Sequence, residues 1–225
     1  NDFELLFPWN AQPGESNDFG TWGYDVMGMF KSQSEIDAYV TKNNITSVFG
    51  TNVDELKPGM LYYRDVRGPK LADGTFAAPD GIIDENDQVR LSRKASNHYN
   101  FGITHRAAYK GLGFDCVLGG SFGGWSEMDA RDLLEAEIPD LYRNGPAYWA
   151  NVYDPTLNPG GIYPNPAHED INLNSVSNFW RVSSFRFRVI NANLNYTVPK
   201  RITDYLRITN ARFVLSALNP LNLYN

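Results

Sequence analysis

Hydrophobic and polar residues alternate along four stretches of this chain. From His98 to Lys110, Tyr99, Phe101, Ile103, His105, Ala107 and Tyr109 fall on one side, with Asn100, Gly102, Thr104, Arg106 and Ala108 between them. From Leu112 to Phe122, Leu112, Phe114, Cys116, Leu118, Gly120 and Phe122 oppose Gly113, Asp115, Val117, Gly119 and Ser121. In the stretch Ser183 to Lys200, Phe185, Phe187 and Val189 alternate with Arg186 and Arg188; Ile190, Ala192, Leu194 and Tyr196 then alternate with Asn191, Asn193 and Asn195. The fourth, Asn210 to Leu218, sets Ala211, Phe213, Leu215 and Ala217 against Asn210, Arg212, Val214 and Ser216. A period of two is that of a β-strand, and these runs exceed the about five or six residues usual in soluble sheets. The change of phase between Val189 and Ile190 predicts a β-bulge, because one extra residue exchanges the two faces.

The connections have a pattern of their own. A tight turn at Tyr109–Leu112 and a short one at Pro199–Asp204 alternate with the long segments 31–97 and 123–180. All short turns therefore fall at one end of the strands and all long segments at the other. Long strands, one apolar face, one polar face and this alternation predict an all-β fold, a segment of an antiparallel transmembrane β-barrel with long extracellular loops. Lipid would then lie against the Phe, Leu and Tyr side. The lumen-facing residues would be Asn100, Arg106, Asp115, Arg186, Arg188, Asn191, Asn193, Asn195 and Arg212. A soluble β-sandwich alternates in the same way and is the rival architecture.

Composition narrows the functions. The net charge of −6 argues against a nucleic-acid partner, which needs a basic patch. The single cysteine, Cys116, excludes an internal disulfide and a C-x-x-C zinc site, and on the apolar side it is a small hydrophobe. No apolar run approaches the ~18 residues of a membrane helix. The chain begins at Asn1 in mid-pattern and stops just after a strand at "NPLNLYN", as expected of a piece of a longer polypeptide.

Six stretches occur in a telling order: "FGTWGYDVMGMFKSQSEIDAY" (Phe19–Tyr39), "LKPGMLYYRDV" (Leu56–Val66), "DGIIDENDQV" (Asp80–Val89), "YNFGITHRAAYKGLGFDCVLGGSFGG" (Tyr99–Gly124), "NFWRVSSFRFRVINANLNYTVPK" (Asn178–Lys200) and "LRITNARFVLSALNPLNLY" (Leu206–Tyr224). This series resembles the C-terminal part of the SusC/RagA-like TonB-linked outer-membrane proteins of Bacteroidetes. The resemblance covers almost the whole chain, apart from residues 1–18 and much of the 123–177 segment. It implies a barrel of about 22 strands, of which this chain would hold about five or six. It also implies a SusD-like lipoprotein lid, coupling to TonB through a part of the protein not present here, and uptake of oligosaccharide or peptide across the outer membrane. No nucleic acid is expected as a partner.

Candidate sites follow. Asp65, Asp80, Asp84 and Asp87 match the acidic positions of a family stretch similar to a calcium loop, and the carbonyl of Ile82 would add an oxygen. Arg67 and the insertion "GPKLADGTFAAP" depart from that pattern. The structural alternative is an acidic turn, with Asp80–Gly81 turning the chain and Asp84 capping a helical turn. Calcium is the sole cofactor candidate. Ser32 and Glu35 form a capping box that starts a short helix near Gln33, and residues 126–145 have helical spacing. Trp125, Tyr148, Trp149, Tyr153 and Tyr163 are candidates for contact with cargo or lid, through apolar ring faces. Tyr142 belongs to the same aromatic group, and Trp180, just before a strand, reads as a membrane-interface residue. No H-E-x-x-H, G-x-S-x-G or P-loop spacing occurs and His98, His105 and His168 are scattered, so no catalytic residue is assigned and no enzyme is expected. A soluble carbohydrate-binding module and a β-rich glycoside hydrolase are the rival functions; both would dispense with detergent.

Overall fold

The computed structural model describes residue 18 and residues 20–128, 150–165, 169–172 and 176–224. It divides into two compact units, Asn1–Arg93 with Glu127–Arg181, and Lys94–Ser126 with Val182–Asn225. In chain order the strands are β1 (Thr21–Gly23), β2 (Val26–Met29), β3 (Ser47–Val48), β4 (Thr51–Asn52), β5 (Leu61–Tyr63), β6 (Ile82–Ile83), β7 (Val89–Ser92), β8 (Tyr99–Tyr109), β9 (Leu112–Phe122), β10 (Trp125–Glu127), β11 (Arg181–Ser183), β12 (Arg186–Thr197) and β13 (Arg212–Tyr224).

The second unit is one antiparallel sheet in the order β13-β12-β9-β8. These are four of the five or six long strands expected. The β8–β9 hairpin closes on two residues, with Tyr109 opposite Leu112. Lys110 (φ 46) and Gly111 (φ 87) both take positive φ, the turn whose twist matches the strands it joins. A Cβ on Gly111 would come within 2.9 Å of the Thr197 carbonyl. That tightness lets the Thr197 N–H donate to the Gly111 carbonyl at 2.8 Å, tying the hairpin tip to β12.

The register of β12 shifts between Val189 and Asn191 against both its neighbours, which is the predicted bulge. One detail differs from the sequence reading. Ile190 was expected beside Ala192, Leu194 and Tyr196; instead it is the unpaired residue. Its Cδ1 lies 3.1 Å from where a Gly119 Cβ would sit, on the face of Gly119 and Arg188. The bulge residue is free of the ladder, so its side chain fills the space that Gly119 leaves open. On the other side, β13 runs past the expected end at Leu218 to Tyr224. Asn219 (φ 48) and Pro220 stand opposite the same irregularity, between Leu218↔Asn191 and Leu221↔Val189. Proline lacks an N–H and is tolerated where the ladder is already interrupted. The Pro199–Asp204 turn is a short helix, Lys200–Tyr205, followed by Arg207 at φ 58.

The first unit takes in β1, β2 and most of the two long segments. Helix α1 (Gln33–Asn43) starts at Ser32, whose side chain accepts from the Glu35 N–H at 3.4 Å. The Glu35 carboxylate reaches back to the Lys31 N–H at 2.7 Å. Asn44 ends the helix in the left-handed conformation. The buried face of α1, Ile36 and Tyr39, packs with Phe30, with Ile45, Val48, Leu61, Tyr63 and Ile83 from the first long segment, and with Ile171 from the second. Polar ties cross the same core. Tyr39 Oη donates to the Tyr63 carbonyl at 2.7 Å, and Tyr63 Oη to that of Ile171. Asn172, 1% exposed, accepts from the Leu61 N–H at 2.8 Å.

Candidate functional site

In the sheet, register decides which side chains share a face. Six cross-strand rows carry the apolar side. Tyr99↔Phe122 and Phe101↔Gly120↔Phe187↔Leu223 lie at the end where the long segments leave. Ile103↔Leu118↔Val189↔Leu221, His105↔Cys116↔Ala192↔Ala217 and Ala107↔Phe114↔Leu194↔Leu215 fill the middle. Tyr109↔Leu112↔Tyr196↔Phe213 closes the short-turn end. Aromatic rows thus flank a largely aliphatic band, in which Phe114 and His105 are the ring side chains. The upper rings stack, Tyr99 on Phe122 at 5.1 Å and Phe101 on Phe187 at 6.3 Å. This face is open to the outside: Leu215 is 70% exposed and Phe213 69%. From Tyr99 to Tyr109 the strand rises roughly 34 Å at ~3.4 Å per residue. At a tilt of ~40° that is a band about 26 Å tall, close to the ~25 Å apolar belt of outer-membrane barrels.

The opposite face carries Asn100↔Ser121↔Arg186↔Tyr224, Gly119↔Arg188↔Asn222, Arg106↔Asp115↔Asn193↔Ser216 and Gly113↔Asn195↔Val214. Arg212 stands opposite Thr197 and Asn191 opposite Val117. Every residue expected on the polar side is on this one face. Asn193 Nδ2 donates to Asp115 Oδ2 at 2.7 Å, a bond between neighbouring strands that fixes both side chains. Asn191 Oδ1 is buried without a donor.

The acidic residues sit in the first unit. The insertion folds into a small hairpin: the Gly68 N–H donates to the Ala77 and Ala78 carbonyls, and that of Leu71 to Thr75. The hairpin returns the chain to its starting point, so Asp65 Oδ2 accepts from the Gly81 N–H at 2.7 Å. Gly81 (φ 81) passes so close to the Asn44 carbonyl that a Cβ would stand 2.2 Å from it. Asp84 caps a turn of 3-10 helix, Glu85–Asp87, accepting from the Asn86 N–H at 2.7 Å. Asp80 Oδ1 accepts from the Ile82 N–H at 3.0 Å. Asp87 is fully buried. Its Oδ1 accepts from the Val66 and Arg67 N–H groups at 2.7 and 3.2 Å, and its Oδ2 from that of Asp84 at 2.9 Å. The Arg67 guanidinium lies over the Phe76 ring at 5.3 Å.

Would these oxygens suit calcium? Hard cations take six to eight oxygens. Here the carboxylates of Asp80, Asp84 and Asp87 are directed at backbone N–H groups, and Asp65 Oδ1 alone among them is buried with no donor. Among the described residues no three acidic, His or Cys side chains converge as metal ligands. The arrangement is that of a turn closed by carboxylates rather than a cation cage.

Burial pushes the Asp87 carboxyl up to about 6, against the pull of its three N–H donors, and burial raises Asp65 as well. A carboxyl raised in the fold binds protons more tightly there than in the unfolded chain, whose ordinary value is about 3.9. The stabilisation is therefore complete below pH ~4 and is lost as pH rises through about 6. The expected result is an unfolding free energy for this unit that falls by about 1–3 kcal/mol between pH 4 and 7, read as a falling denaturant midpoint. Asp87→Asn should flatten the profile; a midpoint that rises over this window would refute the assignment.

Of the aromatic candidates, Trp125 is 44% exposed, while Tyr153 is 3% exposed. Lys31 covers the Tyr153 ring at 4.2 Å. Tyr163 stacks on Trp180 with ring centroids 6.2 Å apart. Trp180 departs from the interface reading: it is 4% exposed in the first unit, and its Nε1–H donates to the Asn172 carbonyl at 2.7 Å. A buried indole needs an acceptor, and here the core supplies one. Tyr142, Tyr148, Trp149, His168 and most of the helix expected over 126–145 lie outside the described residues.

No family model matches the chain, and no curated protein matches it by sequence. Solved structures do match. A chain of the RagAB peptide importer in its "open-open" state aligns with a TM-score of 0.53 and 15% identity, over 92% of this chain and 19% of that one. A chain of the RagAB peptide transporter aligns with a TM-score of 0.54 and 14% identity, over 91% of this chain and 19% of that one. The chain thus spans about a fifth of the length of these neighbours. Its fold is that of a wall segment of an antiparallel β-barrel.

Proposed function

We propose that this chain is part of the wall of an outer-membrane nutrient importer, with segments 31–97 and 123–180 on the extracellular side. The observation that supports this reading best is the open apolar face, banded by aromatic rows at a spacing that fits an outer membrane, on a sheet of the same fold as a segment of the RagAB peptide importer. A membrane-spanning sheet needs both edges paired. Among the described residues β8 and β13 are the edge strands of this sheet, and in this reading further barrel strands pair with them. The polar face, with Arg106, Asp115, Arg186, Arg188 and Asn193, lines the lumen. A SusD-like lipoprotein covers the mouth, and TonB drives transport through a part not present here. Peptide is the first cargo to test, because the RagAB neighbour is a peptide importer; oligosaccharide is the second.

The test is extraction of the full-length protein from its native membrane. It should stay with the outer-membrane fraction, require detergent, and bring a lipoprotein with it. Proteolysis of whole cells should cut within 31–97 or 123–180 without disruption of the outer membrane. Solubility without detergent would sink the proposal in favour of a soluble carbohydrate-binding module or glycosidase. Cleavage only after disruption would invert the orientation.

A further inference from the structure

Charge is distributed unevenly over the sheet. The whole chain has net charge −6. Yet the two short connections and the strand start that follows them hold Lys110, Lys200, Arg201, Arg207 and Arg212, against a single carboxylate, Asp204. These cations lie just past the aromatic row of Tyr109, Tyr196 and Phe213. Around them the surface is amphipathic rather than simply basic: Tyr205 is 87% exposed, and Ile202, Leu206 and Ile208 are exposed as well.

The same end holds a shallow hollow of about 440 Å³, lined by Lys110, Lys200, Thr197, Thr203, Thr209 and Asn210 among others. Its walls are fixed by backbone bonds. Thr197 donates to Gly111, Val198 to the Ala211 carbonyl at 2.9 Å, and Ile208 to the Thr203 carbonyl at 3.0 Å. Both lysines are loosely held. Lys200 Nζ stands 3.4 Å from Asp204 with its side chain 83% exposed, an ion pair of little worth in water. Lys110 Nζ lies 5.1 Å over the Tyr109 ring.

We propose that this hollow binds the headgroup of an anionic phospholipid in the leaflet next to the short turns. The site rests on the membrane-spanning reading above. Two ammonium groups flank donors and acceptors small enough to meet phosphate oxygens, and a phosphodiester is the anion that occurs at this depth. The aromatic row marks the boundary between acyl chains and headgroups. Lys110 and Arg212, one residue beyond it, and Lys200, four residues past Tyr196, stand at the phosphates, where each adds attraction to an anionic surface. Ile202, Tyr205, Leu206 and Ile208 would rest on the glycerol and upper acyl region, the place for side chains with an apolar body at the interface. Charge complementarity selects the headgroup; a zwitterionic lipid offers its own cation to the lysines and gains nothing.

The test uses the full-length protein in nanodiscs of phosphatidylcholine mixed with phosphatidylglycerol, with retained lipids counted by native mass spectrometry. The protein should retain phosphatidylglycerol over phosphatidylcholine. The double variant Lys110→Asn, Lys200→Gln should lower that preference roughly tenfold. Asparagine is chosen at Lys110 because it accepts the positive φ there. Lys70→Gln, in the hairpin of the first unit, is the control and should leave the preference intact. Heat-modifiable mobility on a gel checks that the double variant still forms a barrel; Lys200→Gln alone should show a partial loss. Retention unchanged in the double variant overturns the proposal. Displacement of the preference by excess inorganic phosphate overturns it too, since the occupant would be a free oxyanion. Failure of the parent protein to enter the nanodisc would instead bring down the membrane reading, and this site with it.

Discussion

Replacing Asp87 with alanine is expected to cost the first unit about 3–5 kcal/mol, the larger of two effects that this structure leads us to expect. The carboxylate is fully buried and takes three backbone N–H groups, from Val66, Arg67 and Asp84. Those donors come from both ends of the acidic loop, so the side chain replaces a stretch of ladder that the chain does not form there. Alanine would leave the donors without a partner in a place water reaches poorly, at about 1–3 kcal/mol for each one stranded. Asp87→Asn keeps one oxygen but turns an NH2 toward a donor, so its cost should be smaller, about 1–2 kcal/mol. The fluorescence of Trp180, buried in the same unit, would follow urea unfolding. A loss under about 1 kcal/mol in the alanine variant would mean that the amides find water instead.

The second large effect is a contrast between adjacent residues. Leu194 stands mid-strand on the apolar face, between Phe114 and Leu215. Asn193 stands on the other face, bonded to Asp115 and in register with it. Leu194→Arg should cost ~2–4 kcal/mol in a bilayer, because it places a charge near the middle of the lipid-facing belt. Asn193→Arg puts the same charge beside a carboxylate on the polar face and should cost under ~1 kcal/mol. Reversible unfolding of the full-length protein from phospholipid vesicles measures both. Equal costs would mean that lipid does not lie on one side of this sheet.

The strand wall was legible in the sequence because a strand has a fixed period of two, so alternate residues share a face and the two faces carry opposite kinds of side chain. Tyr99 to Tyr109 and Leu112 to Phe122 follow that rule without a break, and the bulge near Val189 announces itself as two adjacent apolar residues. The side to which Ile190 turns was not legible. It depends on Gly119, which is distant in sequence and leaves a space only because β12 pairs with β9. The continuation of β13 through Asn219 and Pro220 was hidden for a similar reason: proline ends a strand locally, and only the facing bulge makes it acceptable.

In the first unit, local chemistry again showed through. Ser32 and Glu35 began α1, and the acidic residues bunched where a turn was needed. Where those carboxylates point was settled by tertiary structure. Alternating Asp residues suit a cation or a set of backbone amides equally well, and sequence carries no distance between Asp65, Asp80 and Asp87. The hairpin at Gly68 closes that distance and offers N–H groups to the carboxylates. Trp180 was decided in the same way. Its position before a strand suggested an interface, but the carbonyl of Asn172 and the ring of Tyr163 hold it inside. Sequence determined the faces of the strands, because periodicity is local. The packing of the two long segments into one core depended on contacts between residues more than a hundred positions apart, such as Leu61 with Asn172.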